Sequence, residues 1–228
     1  MVDLKQLHAI PLCQALSPEG LKQIQSASTQ ERYKKGMVLF RQGERAEAMW
    51  LVVDGWVHLV RSPEPVDAER GIVLFTITPD EVLCGVSAIE SGRYNLSAVA
   101  GTDCLAVKIP GAVFRDTLRR EPEFTYHVLR LCARRLQHIA EQYGAMAESV
   151  SHRIIRAILR LHHQFGRTLP VTHRELAQMS WTTTESAIRV VRRLKHHGYV
   201  TGTRGRLVVK HSNALERALA HPNGHKSL

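Results

Sequence analysis

Hydrophobic positions change their period along this chain, and the changes mark out its elements. Between residues 37 and 109 they fall in short runs rich in Val, Leu, Ile and Trp, separated by turn signals every eight to twelve residues, which predicts strands. Met49 to Val53 and Trp56 to Arg61 flank Asp54-Gly55, a pairing that reads as a β-hairpin. A polar loop from Ser62 to Arg70, with two prolines, leads into a strand from Gly71 to Ile77. Further strands are expected at Asn95 to Ala100 and Cys104 to Ile109, joined by Gly101-Thr102-Asp103. The sum is an all-β, jelly-roll-like unit.

From Ala112 the period becomes helical, and Pro122 stands where the first turn of a helix tolerates it. Leu129, Cys132, Leu136, Ile139, Tyr143, Met146 and Val150 follow at alternating spacings of 3 and 4, a coiled-coil seam. A helix from Glu121 to Val150 would be roughly 45 Å long. One small β unit cannot cover that length, so the helix is expected to pair with a copy of itself. A second amphipathic helix follows through Ile154, Ile155, Ile158, Leu159 and His162 to about Gly166, and Pro170 resets the chain.

Between Val171 and Lys210 the pattern is helix, tight turn, helix, hairpin. Thr172 with Glu175 forms the capping box Thr-x-x-Glu, and Leu176, Ala177 and Met179 supply the buried side of a short helix. After a turn at Ser180 to Thr182, a second helix runs from about Thr183 to His197 and is closed by Gly198. Ala187, Val190, Val191 and Leu194 give it an inward face; Thr183, Thr184, Glu185, Ile188, Arg189, Arg192 and Lys195 face out. Tyr199 to Gly202 and Arg206 to Lys210, turned at Arg204-Gly205, read as a β wing. A helix so presented enters the DNA major groove with its first residues on the bases.

Charge sharpens this reading, because it is not shared evenly. Residues 151–228 carry a net +11 and residues 1–150 a net −1. A compact basic block beside a neutral partner is an electrostatic footprint for phosphates, and double-stranded DNA is the expected partner. Three regions follow: 1–120 as a sensor β-roll, 121–150 as a dimerisation helix, and 151–228 as a winged helix-turn-helix. No apolar run of 18 residues occurs and the amino terminus lacks a signal peptide's hydrophobic stretch, so the chain is expected in the cytoplasm with no membrane partner. Cys13, Cys84, Cys104 and Cys132 are scattered without a C-x-x-C pair, which indicates neither a zinc site nor a disulfide framework.

Glu185 and Arg189 are neighbours on one helix face. A solvated ion pair is the bland reading. The sharper one, preferred here, has Arg189 donate twice to guanine O6 and N7 while Glu185 accepts from cytosine N4, each contact giving roughly 1–3 kcal/mol of discrimination. Arg192, Arg193, Lys195, Arg204 and Arg206 are read as phosphate contacts or solvated charges.

These residues resemble the Crp/Fnr family of bacterial transcription factors over nearly the whole chain. The resemblance is carried by Pro11-Leu12 with Leu16-Ser17-Pro18-Glu19, by Tyr33-Lys34-Lys35-Gly36 before Leu39-Phe40-Arg41-Gln42-Gly43-Glu44, by Leu51-Val52-Val53-Asp54-Gly55-Trp56-Val57, and by Glu185-Ser186-Ala187-Ile188-Arg189. It implies an α+β architecture: a cyclic-nucleotide-binding-like β-roll, a long dimerisation helix and a winged helix-turn-helix. It also implies a homodimer on an inverted repeat, contact with RNA polymerase, and no enzymatic activity. Glu185 and Arg189 fall on the family's base-reading pair, which recognises a G·C pair within a TGA-like half-site. Thr184 and Ile188 stand where other members carry different residues, and Ile188 could meet a thymine methyl.

The same resemblance bears on what is sensed. Aligned through Ser97-Ala98, the family's cyclic-nucleotide pocket puts Gly85 on its glycine, Val86 on its ribose-binding Glu and Leu96 on its phosphate-binding Arg. A phosphate facing Leu96 would be buried without a cation, which is prohibitively costly, so cyclic AMP is not expected as the effector. Arg93, three residues before Leu96, could supply a replacement cation, but it reads better as an exposed loop residue; with Ser97 and His138 it counts among the candidate positions for an unidentified small molecule. Cys13 alone cannot hold an iron–sulfur cluster. No cofactor is evident; Cys84 leaves haem open, and Cys132 leaves a thiol switch open. Two rivals remain outside this family. A cupin-type metalloenzyme lacks ligands, since His58 is the one histidine in the predicted strands. A non-specific architectural protein would gain nothing from Glu185, which repels phosphate unless it reads a base.

Overall fold

The computed structural model describes residues 3–62, 71–79, 82–83, 85–144, 147–203 and 205–220, and the chain divides into two units, Met1–Ala140 and Glu141–Leu228. In the first unit, α1 (Leu4–Ala9) starts on Asp3, whose carboxylate accepts from Lys5 N–H, and a 3-10 turn covers Pro11–Ala15. α2 (Pro18–Ala27) has Ser17 as N-cap and proline at its first position, the arrangement an N-terminus favours. Among the described residues eight strands follow: β1 (Thr29–Tyr33), β2 (Val38–Phe40), β3 (Ala48–Asp54), β4 (Val57–Arg61), β5 (Ile72–Ile77), β6 (Val82–Leu83), β7 (Ser97–Ala100) and β8 (Cys104–Pro110). A short helix, α3 (Gly85–Glu90), separates β6 from β7, and α4 (Gly111–Arg120) leads into α5 (Pro122–Gly144).

The strands form two four-stranded antiparallel sheets, ordered β1-β8-β3-β6 and β2-β7-β4-β5. Between them lies one core containing Phe40, Trp50, Val52, Val57, Leu59, Ile77, Tyr94, Ala98 and Ala106. The opposite face of the first sheet is covered as well. Met49 and Leu51 of β3 and Val107 and Ile109 of β8 pack with Leu7, Ile24, Phe114, Phe124 and Val128 from α1, α2, α4 and α5. Successive side chains of β3 therefore enter different cores, which is why this strand is apolar at nearly every position rather than alternating.

The hairpin expected at Asp54-Gly55 does not form, because β3 and β4 lie in different sheets. Asp54-Gly55 is a corner. A register irregularity between Val52 and Asp54 bends the end of β3, Trp56 N–H donates to Thr102 Oγ1, and Gly101 N–H donates to the Trp56 carbonyl. The corner is thus bonded to the neighbouring corner at 101–103, where β7 passes into β8 on the other sheet. Gly55 has φ 74°, and a Cβ there would stand 2.4 Å from the Asp103 carbonyl oxygen. The other strand expectations hold with edges moved by one or two residues; most of the Ser62 to Arg70 loop lies outside the described residues.

The long helix is also shorter than expected. Glu121 terminates α4, Gly144 ends α5, and Val150 opens the next helix, so α5 has 23 residues and is about 35 Å long. Glu121 is held from afar: its carboxylate accepts from both the Ser17 hydroxyl (2.5 Å) and the Ser17 N–H (3.2 Å).

The second unit contains α6 (Val150–Phe165), β9 (Thr168–Leu169), α7 (His173–Met179), α8 (Thr184–His196), β10 (Val200–Thr203), β11 (Arg206–Val209) and α9 (Ser212–Ala220). β10 and β11 form the expected wing hairpin, and β9 adds a third strand to it. Ile154, Ile155 and Ile158 of α6 are buried, as are Leu176 and Met179 of α7, Ala187, Val190, Val191 and Leu194 of α8, and Leu215 of α9.

Gly36 also has a positive φ, 84°, but nothing lies within 4 Å of its would-be Cβ. Gly36→Ala is expected to cost about 1 kcal/mol and Gly55→Ala at least about twice that, since the second adds a steric collision to the backbone strain. Thermal melting of the two variants checks this, and equal losses would contradict the corner's close packing.

Candidate nucleic-acid interface

The helix offered to DNA, α8, is fixed at both ends by local chemistry. Thr183 is its N-cap: the hydroxyl accepts from Ser186 N–H at 3.2 Å. At the far end Tyr199 N–H reaches the Leu194 carbonyl and Gly198 N–H the Lys195 carbonyl, both 3.0 Å, with Gly198 at φ 73°. This pair of bonds is a Schellman motif. The preceding helix, α7, carries the complete capping box: Glu175 N–H donates to Thr172 Oγ1, and Thr172 N–H donates to the Glu175 carboxylate. The turn between the helices passes through Trp181 at φ 50°, with Thr182 N–H donating to the Ala177 carbonyl at 3.0 Å.

With Ala187, Val190, Val191 and Leu194 buried, the helix exposes Thr183, Glu185, Ile188, Arg189 and Arg192, while Thr184 is half-buried. Ile188 is an apolar residue 37% exposed on a face otherwise polar, as a methyl-reading position requires. Among the described residues Arg189 and Arg192 make no hydrogen bond or ion pair, so the bland Glu185–Arg189 bridge is not formed and Arg189 is not committed within the chain. Glu185 is held instead by the N-terminal end of its own helix. Its own backbone N–H and the Thr183 hydroxyl lower its carboxyl below the ordinary 4.5.

Other basic residues divide into committed and uncommitted. Arg193 donates to Ser151 Oγ at 2.9 Å, and Lys195 donates to the Gly202 carbonyl of β10 at 2.9 Å, tying recognition helix to wing. Arg206 is exposed on β11; Arg204 lies outside the described residues. The pattern of the sequence did not single out Arg153. In the structure its guanidinium donates to main-chain carbonyls at the turn before α8, and no periodicity signals such a contact.

The expected seam on α5 is exposed within the single chain. Leu129, Leu136, Ile139 and Tyr143 are between 45% and 75% exposed, while Cys132 is half-buried against the helix-covered core. Met146 lies outside the described residues. The expected effector residues are dispersed in role. Gly85 begins α3 and Val86 is exposed on it. Arg93 donates to the Gly43 carbonyl, Leu96 packs against the core between the sheets, and Ser97 Oγ accepts from Gln42 N–H at 2.9 Å. His138 lies with its ring 5.6 Å from that of Phe75 on β5. Cys84 lies outside the described residues. Cys13 is buried among apolar side chains, which push its thiol up to about 12.

Comparison with known proteins gives two family matches, the Cyclic nucleotide-binding domain over residues 30–121 and the Crp-like helix-turn-helix domain over residues 152–218. The chain belongs to the Crp/Fnr family of transcription factors. A Crp/Fnr relative, the Cyclic AMP receptor protein of Thermus thermophilus, is 29% identical over 208 residues, covering 90% of this chain and 95% of that one. The cAMP-activated global transcriptional regulator of Salmonella typhimurium is 24% identical over 187 residues, covering 78% and 88%. In fold, the chain is similar to the c-di-GMP-responsive global regulator CLP of Xanthomonas campestris, with a TM-score of 0.71 at 22% identity over 85% and 99% of the two chains. Crp/Fnr members are transcriptional regulators rather than enzymes, and this chain is a regulator of that type. Among its described residues no helix is long and apolar enough to cross a membrane.

The lowered Glu185 carboxyl has a pH consequence. Because the folded value lies below the unfolded one, its stabilisation of α8 is complete above about pH 4.5 and is lost as pH falls through the folded value. The protection of amides 184–187, measured against their intrinsic exchange rates, is expected to fall below pH 4.5 in the native protein and to be independent of pH over that range in Glu185→Gln.

Proposed function

We propose that the chain acts as a homodimer that binds a palindromic DNA site with TGA-like half-sites, with Glu185 and Arg189 of each copy reading one G·C pair. The observation that carries this reading is the state of Arg189: exposed, on the first turns of a helix capped at both ends, and making no hydrogen bond or ion pair among the described residues. A guanidinium in that state reaches guanine without first breaking a bond in its own chain. Thr183, Thr184, Ile188, Arg192 and Arg204 complete the contact surface, with Ile188 toward thymine and Arg192 and Arg204 toward phosphates.

The dimer is supported by the apolar stripe on α5. Four large side chains at coiled-coil spacing, all exposed in one copy, are what a pairing surface looks like before its partner is added. RNA polymerase is the expected protein partner. Cyclic AMP is not the proposed effector, although relatives are named for it: Val86 and Leu96 stand where the nucleotide needs an acid and a base, and Ser97 Oγ already accepts a main-chain hydrogen bond. Haem binding and thiol oxidation are the alternatives within this reading. A haem absorption band in protein purified without oxygen, lost in Cys84→Ser, favours the first.

Arg189→Ala is expected to cost roughly 1–3 kcal/mol on a TGA-containing palindrome and little on random DNA. Titration of both DNAs by fluorescence anisotropy checks this; equal losses on the two would remove the base-reading role. Leu136→Glu is expected to turn the dimer into a monomer in sedimentation velocity and to abolish palindrome binding at the same total concentration. A dimer that survives this substitution would place the pairing surface elsewhere.

A further inference from the structure

The residue that carries the next step is Arg153, on the first turn of α6. Its guanidinium is bonded to three main-chain carbonyls from two separate segments. Nη1 donates to Glu148 in the short connection between α5 and α6 at 2.8 Å. Nε donates to Ser180 at 2.9 Å and Nη2 to Trp181 at 3.4 Å, both in the turn that precedes α8. The Ser180 hydroxyl, fully buried, returns a bond to the Arg153 carbonyl at 3.4 Å. A planar fork with donors on three nitrogens is pre-organised to meet carbonyls approaching from two sides.

Glu148 is held a second time, through its side chain. Both carboxylate oxygens accept from Arg156, at 2.6 and 2.9 Å, and Ser149 beside it caps α6. So the main chain of Glu148 is fastened by one α6 arginine and its carboxylate by another. On the other side of Arg153, the two carbonyls it holds belong to a turn strained by the positive φ of Trp181, two residues before the Thr183 cap. A change in the path of the connection breaks or redirects a bond to the same guanidinium that holds this turn, and the turn fixes where α8 begins.

We propose that Arg153 is a positioning residue that couples the connection before α6 to the start of the recognition helix, so that the conformation of residues 147–149 sets the placement of Glu185 and Arg189. This rests on the base-reading role proposed above.

The test uses the full-length protein with Arg153→Lys, Arg153→Met and Glu148→Gln, alone and combined. Lysine keeps the charge but has no fork. Arg153→Lys and Arg153→Met are both expected to raise amide exchange in residues 147–149 and 180–184 together, and to weaken binding to the TGA palindrome about tenfold while random-DNA binding stays within about twofold. Glu148→Gln is expected to raise exchange at 180–184 in the native background and to add nothing once Arg153 is Lys. Additive effects of Glu148→Gln and Arg153→Lys would overturn the coupling, as would loosening of 180–184 with full protection kept at 147–149. Equal loss on specific and random DNA with a lowered melting temperature would make Arg153 a structural residue only. The exchange measurements decide the coupling even where Arg189→Ala removes the base-reading role, so the two failures are distinguishable.

Discussion

The DNA-reading unit depends on one stripe of α8. Ala187, Val190, Val191 and Leu194 bury one side of the helix against the unit's core, and this sets the helix's rotation about its own axis. Everything outward follows from that rotation: with this stripe inward, Glu185 and Arg189 have nowhere to point but away from the core. Burying the stripe is worth several kcal/mol by area, whereas an exposed charge contributes a few tenths. The side chains proposed to read DNA are therefore aimed by strong contacts on the opposite side of the helix. The capping bonds of Thr183 and Gly198 then fix where along its axis the helix starts and stops.

Charge is distributed in the same spirit. The second unit holds nearly all the net positive charge, and the first unit is close to neutral. Phosphate attraction is long-ranged and indifferent to sequence, so it brings the protein to DNA without deciding where it stops. Within the unit, Arg193 and Lys195 are spent on internal bonds to Ser151 and Gly202, whereas Arg189 and Arg192 are uncommitted. Arginines of equal appearance in the sequence thus do unequal things.

That inequality marks the boundary of what the sequence reveals. Short-range devices are legible: the Thr172–Glu175 capping box, the glycine closing α8, the wing turn and the buried stripe all depend on residues within a few positions of one another. The α5 seam is legible for the same reason, but it overran, since Val150 continues the 3–4 spacing while belonging to a new helix capped by Ser149. Asp54-Gly55 misled because a tight turn specifies a reversal of the chain, not which strand becomes the neighbour; β8 and β7 occupied those edges. Glu121 and Arg153 were invisible, because Ser17 lies 104 positions from the first and Ser180 lies 27 from the second. The candidate effector residues remain the least legible part, since they lie on α3, β7, α5 and the segments between.

The first sheet of the β-roll is covered on both faces, which distributes protection unevenly within the first unit. The middle of β3 and β8 is packed between two cores, the arrangement in which backbone hydrogen bonds are the last to open. The second sheet has its own edge in β5, where Ile72 is exposed and Phe75 only half-buried. The first sheet is held from two sides, and the second reaches its open edge at β5.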